Sequence, residues 1–323
     1  MLFISCDWGS SSFRLRLVDG KTGRIVGERR SAAGSSTLLP PGASAALRAA
    51  EFARCLDAEI AALDPDGAWA TCPVVASGMV TSAHGWIELP YAHTPLPLDG
   101  SGLTTAVARL PGGREVLLVS GLSDGEDVLR GEECELLGLA GWEGWRAAFP
   151  VGRGTVILPG THCKHVRLHD GQVCGFRTFM TGELYALLRQ YSVLRHSLPP
   201  AAGAAPSLDV DALRAGVAVG RDLGLAAALF RVRTAALLHG LAPAAADAFL
   251  NGILIGAEFA GFPQAGTPPL LLSAGERTSA LYAAVIQSLD LGCTLSVVPP
   301  AVAAACSAVG HQTLLTARAS REP

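Results

Sequence analysis

Three stretches of the chain pair residue types in ways suited to handling phosphate. The first is Asp7-Trp8-Gly9-Ser10-Ser11-Ser12, an acid followed by a turn rich in glycine and hydroxyls. The second is Pro159-Gly160-Thr161-His162, again glycine followed by a hydroxyl. In such turns successive N–H groups converge on one point, and glycine lets the backbone approach an anion closely. Asp7 is suited to hold a hydrated Mg2+ against the phosphates, and His162 to touch one of them. The third stretch is acidic, with Glu132, Glu133 and Glu135 opening an expected helix that continues through Leu139. Acids in a first helical turn complement the helix dipole. The same dipole keeps such a carboxylate ionised, as a base acting on a hydroxyl must be. Glu132 is the first choice and Glu133 the second. Phosphoryl transfer asks little more than a positioned base, a metal and amides around the phosphates.

These residues need elements to hold them. Leu2 to Cys6 is a short apolar run, and Phe13, Leu15 and Leu17 then alternate with polar neighbours in the period of a strand. Asp19-Gly20 turns the chain, and Arg24 to Glu28 returns. The plan recurs with Thr155–Leu158, the turn at Gly160, Cys163–Leu168, Asp170-Gly171 and Gln172–Phe176. Gly9 to Asp19 spans ten positions, as does Gly160 to Asp170. One long repeat predicts two similar domains, since a solenoid needs at least three copies. Later, strand Leu270–Ser273, the turn Ala274-Gly275, a helix from Thr278 to Leu291 and strand Thr294–Val298 form a unit suited to a nucleotide. Upstream, Gly252 and Gly256 lie on one face of an expected helix, where small residues permit close packing, expected at a domain hinge. Residues 196–210 are rich in Pro, Ala and Gly and read as an exposed loop.

The whole chain bounds the possibilities. At 323 residues, half of them apolar and 16% charged, it has the composition of a packed α/β protein rather than a disordered one. A net charge of −3 without basic runs excludes a nucleic-acid footprint. Mean hydropathy is +0.35, yet no stretch approaches the roughly 20 apolar residues that span a bilayer, so no membrane partner is expected. The N-terminus lacks a basic segment and reaches Asp7 at once, which predicts a cytoplasmic protein. Eight cysteines without regular spacing read as small, mostly buried hydrophobes. His162, His165, His169 and Cys163 invite a zinc reading, but His162 and His165 differ in strand parity and point to opposite faces.

Taken together, the motifs resemble the 2-dehydro-3-deoxygalactonokinase family within the actin/hexokinase-like ATPase superfamily. Asp7 to Ser12 is similar to the first phosphate motif, Leu158 to Lys164 to the second, and Leu272 to Gly275 to the adenosine motif. More narrowly matching are Ala76-Ser77-Gly78-Met79-Val80, Arg130-Gly131-Glu132-Glu133, Phe176 to Glu183 and Leu254 to Glu258. The resemblance implies two actin-like (ribonuclease H-like) α/β domains, 1–153 and 154–323, with a nucleotide and substrate cleft between them. It implies transfer of the ATP γ-phosphate to the 6-hydroxyl of a 2-keto-3-deoxy sugar acid in galactonate breakdown. The turn residues Gly9, Ser10, Ser11, Gly160, Thr161, His162, Lys164, Ala274 and Gly275 would bind ATP, with Asp7 on Mg2+. Gly131-Glu132 stands where related carbohydrate kinases carry Gly-Asp with the base. Gly78, Met79, Thr81 and Trp86 resemble a loop lining the sugar pocket. Arg14 or Arg177 would pair with the substrate carboxylate. Two other readings keep the fold: a kinase of another sugar or sugar acid, and a non-metabolic nucleotide switch. Self-association is compatible with the sequence.

Overall fold

A computed structural model describes residues 2–40, 42–200, 208–262 and 266–320. The chain divides into two compact units, Met1–Ala147 with Leu168–Phe176 and Ala301–Pro323, and Ala148–Arg167 with Arg177–Pro300. The expected cut at 153/154 is therefore not a single one, because the hairpin tip at 168–176 and the last helix group with the first unit.

In the first unit, β1 (Leu2–Trp8), β2 (Phe13–Asp19) and β3 (Arg24–Ser31) form an antiparallel meander. Strand β4 (Val74–Gly78) runs parallel to β1, β6 (Glu115–Val119) parallel to β4, and β5 (Thr105–Arg109) antiparallel to β6. The sheet order is β3-β2-β1-β4-β6-β5. Alternation along β1 sends Ile4, Cys6 and Trp8 to one face, where they meet Phe52, Leu56 and Ile60 of α1 (Ala45–Leu63). Each such fully buried large side chain contributes roughly 1.5–3 kcal/mol. Ser44 starts that helix by accepting from the Leu47 amide. On the other face, Phe3 and Val18 pack against Ala308 and Leu315 of the C-terminal helix, Pro300–Ala319.

Helix α2 (Glu132–Ala140) lies against the same C-terminal helix, glycine to backbone. A Cβ on Gly138 would overlap the Cys306 carbonyl, and one on Gly310 would overlap the Cys134 carbonyl. Buried His311 bridges Ser5 and Ser77 through its two ring nitrogens, at 2.8 and 2.9 Å, and ties that helix to β1 and β4.

The second unit repeats the plan. Its strands are β7 (Gly154–Leu158), β8 (Cys163–His169), β9 (Gln172–Phe179), β10 (Leu270–Leu272) and β11 (Leu295–Val297), apart from residues 168–176 of the β8–β9 hairpin, which group with the first unit. Their order is β11-β10-β7-β8-β9, with β10 parallel to β7 and to β11. In both sheets three successive strands lie side by side, and the later parallel strands extend from the first of them. The helices are α3 (Thr181–Tyr191), α4 (Val210–Leu223), α5 (Leu225–His239), α6 (Pro243–Glu258) and α7 (Glu276–Ser288); α4, α6 and α7 cover the sheet, and α3 and α5 pack on α6. Gly252 and Gly256 of α6 do permit a close approach, but the partner is α4 within this unit and not a hinge. A Cβ on Gly252 would overlap the Leu213 carbonyl, and one on Gly216 that of Phe249. Of the expected loop at 196–210, residues 201–207 lie outside the described residues. Among the described residues, no helix is long and apolar enough to cross a membrane.

Candidate active site

In the first unit, the carboxyl ends of β1 and β4 meet the N-terminus of α2. Register places Asp7 beside Arg14 on β2 and Ser77 on β4. Gly78 adopts φ +89°, and a Cβ there would lie 2.6 Å from the Trp8 carbonyl oxygen. Gly131, at φ +113°, caps α2 and faces Gly78 at 3.6 Å from its would-be Cβ. Both positions require glycine. Asp7 is partly exposed, yet the protein around it removes enough water to raise its carboxyl above the ordinary value, opposed by the Arg14 and Arg16 guanidiniums.

The acids of α2 separate by environment. Glu133 is fully buried, and one of its oxygens accepts the Gly131 amide at 2.7 Å. Burial, then the neighbouring Glu132 charge, pushes its carboxyl up to about 8. Glu135 is also pushed up to about 8, by burial and then by Asp7, Glu132 and Glu133. Glu132 remains partly exposed, with one oxygen accepting the Arg130 amide at 2.9 Å. Gly9 closes its turn by donating to the Ser12 carbonyl at 2.9 Å, leaving the Ser10 and Ser11 side chains exposed.

The loop after β4 turns inward. Thr81 is fully buried and its hydroxyl donates to the Val119 carbonyl at 2.8 Å. Arg130 donates to both the carbonyl and hydroxyl of Thr81, at 2.7 and 2.6 Å, and stacks 4.3 Å from the Tyr91 ring centroid. Trp86 belongs to the core with Val80. Thr81 and Trp86 thus face protein instead of a pocket, which corrects the expectation that they line one. Gly78 is likewise buried against β1, whereas Met79 keeps part of its surface exposed. Arg14 makes no hydrogen bond or ion pair among the described residues, and Arg177 lies exposed on β9 of the other unit.

In the second unit, α3 begins on the Gly160 turn. A Cβ on Gly182 would overlap the Gly160 carbonyl oxygen, and the Glu183 amide donates to the Thr161 carbonyl at 3.0 Å. Thr161 and His162 are exposed, His162 Nε2 lying 2.6 Å from a Glu183 oxygen. Lys164 is only 5% exposed, embedded in β8, so it is not offered on the turn as expected. Ala274 and Gly275 lead into α7, whose Arg277 and Thr278 line a cavity of about 630 Å3. Gly160, Gly182, Tyr185, Asp247, Asn251 and Leu281 line it too. This size and mixed lining suit a small-molecule site.

Asp247 and Asn251 were not anticipated. Their only sequence signal is a polar pair four apart in an otherwise apolar helix. Part of the His/Cys cluster that the sequence argued against as a zinc site does come together, since Cys163, His165 and Glu258 offer ligand atoms within 4.8 Å of one another. Residues two apart on a strand share a face, whereas His162 pairs with Glu183 outside this group. Tyr282 donates to Glu258 at 2.7 Å and His165 lies 3.0 Å from its other oxygen, so hydrogen bonds already satisfy that carboxylate.

Two α/β units open on matched glycine-hydroxyl turns, and one carries a ligand-sized cavity, an arrangement that suits the ATP-dependent carbohydrate kinase its relatives define. A family model described as DGOK, 2-keto-3-deoxy-galactonokinase, matches residues 7–309, and the chain belongs to that family. It is 32% identical over 305 residues to the 2-dehydro-3-deoxygalactonokinase of Escherichia coli (strain K12), covering 92% of each chain. It is 39% identical over 269 residues to the "Probable 2-dehydro-3-deoxygalactonokinase DgoK1" of Rhizobium meliloti (strain 1021), covering 80% of this chain and 79% of that one. A crystal structure from Sinorhizobium meliloti, provisionally assigned as a 2-dehydro-3-deoxygalactonokinase, superposes with a TM-score of 0.77 at 33% identity, covering 99% of this chain and 100% of the other.

Proposed function

We propose that this chain transfers the γ-phosphoryl group of ATP to the 6-hydroxyl of 2-dehydro-3-deoxy-D-galactonate, giving 2-dehydro-3-deoxy-6-phosphogalactonate and ADP. The observation that carries the reading is the family match over residues 7–309. The cavity beside the Gly160 turn supports it, since it joins a helix N-terminus and glycine amides to apolar walls.

In this reading the phosphates rest on the Gly160-Thr161 turn and the first turn of α3, and Gly9, Ser10 and Ser11 form a like turn within the first unit. His162, held by Glu183, stands beside the phosphate turn. The nucleoside lies along α6 and α7. Asp7 with the Ser10 and Ser11 hydroxyls is an all-oxygen donor set of the kind Mg2+ takes. When bound, Mg2+ supplies positive charge that neutralises the phosphates. Glu132 accepts the proton of the 6-hydroxyl. It is favoured over Glu133 because it is partly exposed, whereas Glu133 is sealed in the core and bonded to Gly131. Arg14, charged and unpaired beside Asp7, is the better placed of the two arginines for the substrate carboxylate. Gly78 and Met79 shape the sugar side, with Thr81, Trp86 and Arg130 holding that loop in place. A cytosolic setting fits these substrates and eight cysteines that form no disulfide.

The test is ADP release with Mg-ATP and 2-dehydro-3-deoxygalactonate, run beside 2-dehydro-3-deoxygluconate and common hexoses. Turnover on the first compound alone is the expected result. Turnover only on another sugar keeps the kinase and moves the substrate, and silence on every acceptor overturns the reading.

A further inference from the structure

The floor of the second-unit cavity carries two hydrogen-bond acceptors with nothing to accept. Asp247 is 5% exposed. Its Oδ1 takes both the Tyr185 hydroxyl at 2.7 Å and Arg189 at 2.6 Å. Arg189 also reaches the Pro199 carbonyl at 2.9 Å, so it is locked in place. The other carboxylate oxygen, Oδ2, has no partner among the described residues. One helical turn on, Asn251 donates from Nδ2 to the Asp247 carbonyl at 2.8 Å. That bond fixes the amide orientation, because a carbonyl accepts only from the nitrogen. Asn251 Oδ1 is therefore also an unoccupied acceptor, and both residues line the cavity.

Residues four apart on a helix have Cβ atoms about 5–6 Å apart, so both acceptors can reach one small polar group. A neighbouring pair of hydroxyls fits them; a phosphate does not, because it brings no donors to a carboxylate. Position narrows the choice further. Tyr185, which holds Asp247, lies three residues along α3 from Gly182 at the phosphate turn, or about 4.5 Å at 1.5 Å per residue. That is the reach from the phosphates of a nucleotide to its sugar rather than to its base. We infer that Asp247 and Asn251 bind the 2′- and 3′-hydroxyls of the nucleotide ribose, making the enzyme selective for ribonucleotides over deoxyribonucleotides. Tyr185 and Arg189 are positioning residues that hold the carboxylate in place. The inference rests on the proposal that this cavity takes ATP.

The experiment compares kcat/KM for ATP, 2′-deoxy-ATP, 3′-deoxy-ATP and GTP in the wild-type enzyme, and repeats it in Asp247→Asn and Asn251→Ala. Loss of a hydrogen bond to a charged acceptor predicts about a 10- to 100-fold preference for ATP over either deoxy analogue, carried mainly by KM. The preference should collapse in Asp247→Asn and shrink in Asn251→Ala. Equal use of ATP and the deoxy analogues by the wild type overturns the inference without needing any variant to fold. So does a wild type that rejects GTP but not the deoxy analogues, which would assign the acceptors to the base. The underlying site has its own readout: Leu281→Trp, which fills the cavity, should abolish thermal stabilisation by ADP. Stabilisation that survives Leu281→Trp would place the nucleotide elsewhere and sink both readings.

Discussion

Gly182 sits so close to Gly160 that a single added carbon on the former would overlap the carbonyl oxygen of the latter. The first turn of α3 is thereby clamped to the turn between β7 and β8. Any larger residue must push one from the other, and the amides proposed to hold phosphate move with them.

Gly182→Ala should therefore cost about 1–3 kcal/mol of stability by overpacking. It should also raise the KM for ATP by about tenfold or more, because small misplacements of positioning groups are amplified in rate. Thermal melts and an ATP titration check both. A normal KM would detach this turn from the nucleotide.

Glu132→Gln should lower kcat by about 10²- to 10⁴-fold, the range for losing a general base, with the KM for ATP unchanged. Glu133→Gln should lower kcat far less, since an amide replaces a carboxyl that burial already holds near about 8. Steady-state kinetics of the two variants decide between the adjacent acids.

Asp7→Asn should reduce turnover by orders of magnitude and move the Mg2+ titration midpoint upward, because a neutral amide binds a hard cation more weakly than a carboxylate. An unchanged Mg2+ requirement would remove Asp7 from the metal role.

The stability that Glu133 and Glu135 contribute should fall as pH rises from about 4.5 to about 8. Glu133 and Glu135 titrate near about 8 when folded, far above the ordinary glutamate value, so the native state holds protons that the unfolded chain has released. Their contribution is thus lost as pH climbs, by at most about 1.4 kcal/mol per pH unit for each group. His311 acts the other way at lower pH. Burial depresses it to about 3, so below its ordinary value the unfolded chain takes the extra proton and stability declines with acid. Urea unfolding from pH 4 to 8.5 should show a maximum, and Glu133→Gln should flatten its alkaline side.

Much of this was legible locally. Alternation at Phe13, Leu15 and Leu17, the Asp-Gly turns and the acids opening α2 depend on near neighbours, and these elements stand where the pattern puts them. The family motifs carried the fold class and the chemistry. What was not legible depends on distant partners. Thr81 reads as a polar pocket residue until Val119 and Arg130 claim its hydroxyl. Lys164 reads as exposed beside a turn until strand parity carries it inward. Asp247 and Asn251 look like interruptions of an apolar helix until α3 brings Tyr185 and Arg189 to them.

His311→Phe tests one such distant tie. It would leave the Ser5 hydroxyl unpaired in the core, at about 1–3 kcal/mol, and Ser77 with only the Cys134 thiol. Urea unfolding should show the loss, and normal stability would mean that water or a shifted backbone replaces the ring.

Because the sheet that begins at Leu2 is covered by a helix that begins at Pro300, synthesis and completion run in opposite directions. Once Pro300 has left the ribosome, residues 148–167 and 177–300 have all of their own unit to pack with. The opening strands must wait, one apolar face uncovered, until the last helix is translated at about 5–20 residues per second. The N-terminal half is thus the last part of the molecule to close, and a chain released early would expose Phe3 and Val18 to whatever chaperone or protease meets them first.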